Sequence, residues 1–110
     1  MTARKESKYK VSPLYFNSQG GQERALRIKK IEGTWDNYRD QPAFDLWFEE
    51  VPTTVRVYQK WMEHWPARVG DYLVFSALYK TTPIIGSQNL AEKVMTAEMF
   101  ASEYKLANLD

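Results

Sequence analysis

Two stretches of alternating apolar and polar residues predict β-strands. Residues 24–31 half alternate, which favours an extended conformation. Residues 44–48 alternate with a period of two, so that Trp47 falls on the more polar face of the predicted strand. The apolar positions of this second stretch are Phe44, Leu46 and Phe48. Between the two lies a polar, turn-rich segment in which Trp35 and Tyr38 have the spacing of one helical turn.

A third strand is predicted at residues 71–75, where strand-forming residues occupy both faces. Apolar residues on both faces indicate a central strand that is covered on both sides. Residues 83–85 are candidates for an edge strand, and residues 86–89 have the composition of a loop. Extended structure is expected to resume at Val94 and Met95.

The spacing of apolar residues between positions 55 and 65 predicts an amphipathic helix. Thr53 or Thr54 is the expected N-cap, and Pro66 is expected to end the helix because the residue before a proline disfavours the α conformation. The residues on the predicted apolar face are Val55, Tyr58, Trp61, Met62 and Trp65.

A short second helix is predicted after Thr96, whose hydroxyl can cap the first turn. Glu98 places a negative charge near the positive end of the helix dipole. Phe100 and Tyr104 lie four residues apart, so both are expected to face inward.

These elements predict an α+β fold with a small, mainly antiparallel sheet of about four strands, one amphipathic helix and a short C-terminal helix. We expect one contiguous core, built from Phe44, Leu46, Leu73, Val74, Phe75, Phe100 and Tyr104.

The distribution of charge divides the chain unevenly. Residues 1–30 carry eight basic and two acidic side chains, whereas residues 31–110 carry seven basic and twelve acidic ones. Residues 1–21 show no sustained periodicity, so we interpret them as a basic, aromatic N-terminal arm and residues 22–110 as a single domain. The apolar triplet at residues 14–16 is the exception within the arm, and we expect it to pack on the domain.

Composition excludes several classes of chemistry. The chain has 110 residues, no cysteine and one histidine, which removes disulfides, thiol nucleophiles, cysteine-ligated metals and a histidine metal cage. No apolar run approaches the roughly 20 residues that span a bilayer, and the N-terminus does not resemble a signal peptide. We therefore expect a soluble, cytoplasmic protein with no cofactor and no membrane partner.

Catalysis is the least supported function. His64 lies at the end of the predicted helix, where a structural or exposed role is expected. Asp45, Glu49 and Glu50 are candidates for an acid–base pair or a site for a hard cation. Adjacent acids on a strand point to opposite faces, however, so we predict neither catalytic residues nor a metal site.

Binding is better supported, because four Trp, seven Tyr and five Phe exceed what a small core can enclose. Trp61 and Trp65, with Arg68 just beyond them, are the candidate protein-binding residues; the alternative is that both indoles cover the core. A second hypothesis is nucleic-acid binding by the arm, although the acidic remainder of the chain opposes it. The basic residues of that alternative site are Arg4, Lys5, Lys8 and Lys10.

The C-terminal half also carries a family resemblance. It contains Pro66, the run Gly70-Asp71-Tyr72-Leu73-Val74, and Phe100 followed by Tyr104. This pattern resembles small tailed-phage and prophage proteins of uncharacterised function, although the connection at residues 78–93 is longer here and the first third has no counterpart. The resemblance implies a noncatalytic, phage-encoded accessory protein that binds a host or phage protein in the host cytoplasm, as an inhibitor or within a larger assembly.

Overall fold

One long strand organises the fold. The computed structural model describes residues 11–78 and 93–107, which form an α+β structure with a mostly antiparallel sheet and two helices. The basic residues predicted to bind nucleic acid and the segments predicted at residues 83–85 and 86–89 lie outside the described residues. The elements are β1 (Leu14–Phe16), β2 (Gln22–Asp36), β3 (Gln41–Phe48), β4 (Thr54–Tyr58), α1 (Gln59–His64), β5 (Tyr72–Ser76), β6 (Lys93–Met95), α2 (Ala97–Glu103) and β7 (Lys105–Leu106).

Strand β2 is shared by two halves of the sheet. Its first half pairs with β5 on one side and with β1 on the other, and its second half pairs with β3. An irregularity between Ile28 and Lys30 separates the halves. At the outer edges, β4 pairs with β3, β6 pairs with β5 and β7 pairs with β1. A bulge bends and twists a strand locally, which lets one strand serve both halves.

The sheet has seven strands within the described residues, so the prediction of about four was wrong. The three strands that were missed are β1, β4 and β7, which have two to five residues each. Segments this short contain too few residues to establish a period of two, and β4 was assigned to a helix. The triplet at residues 14–16 packs on the domain as expected, because it forms β1 and pairs with β2.

The predicted helix over residues 55–65 is only half correct. Residues 54–58 form β4, in which Val55 and Val57 are buried and alternate with exposed neighbours. Helix α1 is limited to six residues, with Tyr58 rather than a threonine at its N-cap position and no side-chain capping bond. Tyr58 has helical spacing with the apolar residues that follow it, such as Trp61. This spacing concealed the period of two in the residues that precede it.

Two apolar clusters replace the single predicted core. Successive side chains of a strand point to opposite faces, so β2 and β5 contribute to both clusters. This confirms that β5 is covered on both sides. The main core contains Leu26, Ile28, Leu46, Phe48, Val51, Val55, Val57, Ala67, Leu73 and Phe75, with Phe44 packed against it. The second cluster contains Ala25, Val74, Met95, Phe100 and Tyr104.

Helix α2 forms as predicted, and its inward-facing residues lie in the second cluster rather than in a single core. The Thr96 hydroxyl accepts a hydrogen bond from the backbone nitrogen of Met99 at 3.2 Å, which confirms the cap. The Phe100 ring is stacked between Tyr72, at a centroid distance of 4.0 Å, and Tyr104, at 4.7 Å. The ring of Tyr15 in β1 meets Phe100 edge-on at 4.8 Å. These four rings connect α2 to β5, through Tyr72, and to β1, through Tyr15.

Candidate functional site

The turn between β2 and β3 carries the most exposed aromatic side chain in the described part of the chain. Tyr38 is 95 % exposed, and Trp35, just before the turn, is 51 % exposed. Arg39 is also exposed and forms no ion pair with another described residue. Trp, Tyr and Arg are the residue types that most often dominate the energy of protein interfaces. We call Trp35, Tyr38 and Arg39 the hairpin tip.

The apolar side of β2 extends beyond the main core toward this tip. Ile31 packs against the core, and Trp35 follows four residues later on the same face of the strand. Between them lies Gly33, which is exposed and has open space where a Cβ would be. Trp35 therefore presents apolar surface that the described residues leave exposed.

The backbone of the turn is held by one carboxylate. Asp36 is buried, and its Oδ1 accepts hydrogen bonds from the backbone nitrogens of Tyr38, at 3.0 Å, and Arg39, at 3.1 Å. An aspartate that bonds the backbone two and three residues ahead imitates a backbone turn. Asp40 ends the turn with a φ of 54°, a left-handed conformation that aspartate adopts more readily than most residues.

The same carboxylate ties the turn to β4. The Tyr58 hydroxyl donates to Asp36 Oδ2 at 2.5 Å, and the Arg39 guanidinium lies 5.1 Å from the centre of the Tyr58 ring. Arg56 approaches Asp36 at 4.0 Å while it donates two hydrogen bonds to Asp45, at 2.8 and 3.1 Å. The turn is thus connected to β4 as well as to its own hairpin.

These contacts change the acid–base properties of the groups involved. The hydrogen bond from Tyr58, followed by the one from the Arg39 backbone, holds the pKa of Asp36 below its ordinary value. The same bond raises the pKa of Tyr58, because the neutral hydroxyl is the donor. The ionised form of Asp36 therefore stabilises the folded protein.

A dependence of stability on pH follows. The pKa of Asp36 is lower in the folded than in the unfolded chain, so its contribution is complete above the unfolded value of about 3.9 and is lost as the pH falls through the folded value. We expect wild type to have a higher thermal midpoint than Asp36→Asn at neutral pH, with the difference shrinking below about pH 4. Midpoints measured across a pH series test this. A difference that stays constant down to the lowest pH would contradict it.

The residues predicted to bind protein do not form one exposed cluster. Trp61 is half-buried and packs against the main core, which is the alternative that the sequence left open for it. Trp65 is also half-buried, and His64, which is exposed, meets its ring edge-on at 4.9 Å. Arg68 is exposed, but no ring or cation–π contact joins it to either indole within the described ranges.

The three candidate acids, Asp45, Glu49 and Glu50, each contact an arginine residue. Asp45 is bound by Arg56, and Glu50 Oε1 accepts a hydrogen bond from the backbone nitrogen of Arg27 at 2.9 Å. Burial raises the pKa of Glu50 above its ordinary value. Glu49 lies 3.8 Å from the Arg27 guanidinium. Within residues 11–78 and 93–107, no group of three or more acidic or histidine side chains has the arrangement of a metal site.

A cleft of about 370 Å³ lies elsewhere, between the β1–β2 turn and the end of α2. Phe16 lines it, and three of its polar side chains have partners within the domain: Asn17 donates to Glu23 at 3.1 Å, Ser102 donates to the Met99 carbonyl, and the Tyr104 hydroxyl donates to Glu23 at 2.7 Å. Part of the hydrogen-bonding capacity of the lining is therefore already used.

Sequence patterns favoured Trp61 and Trp65 over the hairpin tip, although a signal for the tip was present. Trp35 and Tyr38 lie in a polar, turn-rich segment, where no apolar neighbours are available to bury them. Aromatic residues in such a segment are better candidates for exposure than those with helical spacing.

Comparison with known proteins adds no assignment: no protein-family model, no curated protein and no solved structure matches the chain. Neither of the helices in the described ranges is long and apolar enough to cross a membrane.

Proposed function

We propose that the protein is a noncatalytic binding domain that engages another protein through the hairpin tip. The observation that carries this proposal is the 95 % exposure of Tyr38 on a turn whose backbone is held by a buried carboxylate. Because the Tyr38 side chain is so exposed, it contributes little to the stability of the fold, and its ring is available to a partner.

The arrangement favours tight contact at low cost. Tyrosine has few rotatable bonds, so little side-chain entropy is lost when a partner buries its ring. A turn that is already ordered avoids the further cost of ordering a loop upon binding. Arg39 adds a planar donor, and its guanidinium lies over the Tyr58 ring without an ion pair to another described residue.

The resemblance to small tailed-phage proteins supports a narrower version of this proposal. In that version the partner is a host or phage protein, and the domain acts as an inhibitor or as a component of a larger assembly. The test is capture of proteins from a host lysate on the immobilised 110-residue chain, with the Tyr38→Ala variant as the matched bait. A partner that depends on the tip is retained by wild type and lost by the variant.

Single-stranded nucleic acid is the second candidate, and the connectivity of the sheet favours it. Five strands and a helix follow one another along the chain as β2, β3, β4, α1, β5 and β6. Strand β2 pairs with both β3 and β5, and the two outer strands β4 and β6 do not pair with each other, so the arrangement is not closed within the described ranges. Partly open barrels of five strands bind oligonucleotides through the loop of their first hairpin, which here is the hairpin tip. Exposed aromatic rings also stack on bases. The acidic balance of residues 31–110 opposes this function.

Salt dependence separates the two candidates. We expect no binding of a fluorescent oligothymidylate at physiological salt, and little effect of salt on affinity for a protein partner. Binding of nucleic acid would instead weaken by about 0.7 log units per log unit of salt for each neutralised phosphate. Oligothymidylate binding with such a slope, lost in Tyr38→Ala, would replace the proposed function with the second candidate.

A further inference from the structure

Among the described residues, Asp36 is the one side chain whose hydrogen bonds join the backbone of the hairpin tip to β4. Its Oδ1 accepts from two successive amides of the turn, and its Oδ2 accepts from Tyr58. Tyr58 ends β4 and occupies the N-cap position of α1, a helix whose Trp61 packs on the main core. The carboxylate therefore connects the exposed turn to the packed part of the domain.

We propose that Asp36 is a positioning residue that holds the turn in its binding conformation before a partner arrives. This inference rests on the proposed function, since it concerns the same tip. Hydrogen bonds to a carboxylate are stronger than those to a neutral acceptor. Asp36 is buried and its second carboxylate oxygen is bound by Tyr58, which fixes the position of the acceptor for the two amides.

The turn contains its own internal control. The backbone nitrogens of Tyr38 and Arg39 bond to Asp36, whereas those of Asn37 and Asp40 donate to no group among the described residues. In the wild-type protein, after correction for intrinsic rates, we expect amide hydrogen exchange at Tyr38 and Arg39 to be about tenfold slower than at the other two positions.

Two substitutions separate the role of the acceptor from that of the charge. Asp36→Ala removes the acceptor, so protection at Tyr38 and Arg39 should be lost and the partner captured by wild type should bind at least tenfold more weakly. Asp36→Asn keeps a carbonyl oxygen for the two amides and places an amino group against the Tyr58 hydroxyl. It should retain both the protection and most of the affinity, although it lowers stability.

The outcomes distinguish this inference from the proposed function. Equal exchange at all four amides in wild type, or unchanged protection in Asp36→Ala, would overturn the positioning role and leave the binding surface intact. Unchanged partner affinity in Tyr38→Ala would overturn the binding surface whatever the exchange rates. If Asp36→Ala does not fold, the comparison of amides within the wild-type turn still decides the question.

Discussion

Replacement of Phe75 by alanine is expected to lower the free energy of unfolding by about 3–5 kcal/mol. Phe75 is fully buried in the main core, in the strand that is covered on both faces. The lost ring removes apolar contacts and leaves a cavity that two packed layers cannot easily fill. Chemical denaturation monitored by circular dichroism measures the effect.

Leu78→Ala is the matched control for this experiment. Leu78 lies three residues further along the chain and is 87 % exposed, so its truncation should change stability by less than about 0.5 kcal/mol. A loss of under about 1 kcal/mol for Phe75→Ala would show that β5 does not occupy the centre of the fold.

Removal of the two aromatic side chains of the hairpin tip should weaken partner binding but leave stability nearly unchanged, in contrast to Phe75→Ala, which lowers stability. The double variant Trp35→Ala with Tyr38→Ala is expected to weaken partner binding by at least a hundredfold, about 2.7 kcal/mol, because both rings would be buried at the interface. Its unfolding free energy should stay close to that of wild type, since neither ring belongs to a core cluster. Titration calorimetry and denaturation of the same samples provide both values.

Leu78→Ala serves here too, because it shortens a highly exposed apolar side chain outside the tip. It should bind the partner with wild-type affinity. If the double variant binds normally, or if it loses affinity only because it unfolds, the hairpin tip is not the interface.

The parts of the fold that the sequence predicted correctly depend on neighbouring residues. Thr96 caps α2 through an amide three residues away, and Phe100 and Tyr104 lie one turn apart on the inward face. Strand β5 carries apolar residues on both faces within five positions. Such features are determined by local spacing, which the sequence displays directly.

The parts that were predicted incorrectly depend on tertiary structure. Val55 and Val57 alternate as a strand only because β3 provides the pairing partner for β4. Asp36 and Tyr58 are separated by 22 positions, so no local pattern indicates that they meet. The division of the core into two clusters likewise follows from the sheet, which separates Leu73 from Val74.

The location of the proposed interface could not be predicted from composition alone. Trp61 and Trp65 have the spacing of one helical face, but α1 is short and Trp61 is packed on the core. Trp35 and Tyr38 are exposed because the hairpin extends beyond the core, a property of the architecture rather than of the segment.

The most direct test of the binding surface is a map of backbone chemical-shift changes when isotope-labelled protein binds its captured partner. We predict that the largest changes fall on residues 35–40, with smaller changes along β2 and β3. Changes concentrated on residues 61–68, with residues 35–40 unaffected, would contradict the account and place the interface on α1 and the segment that follows it.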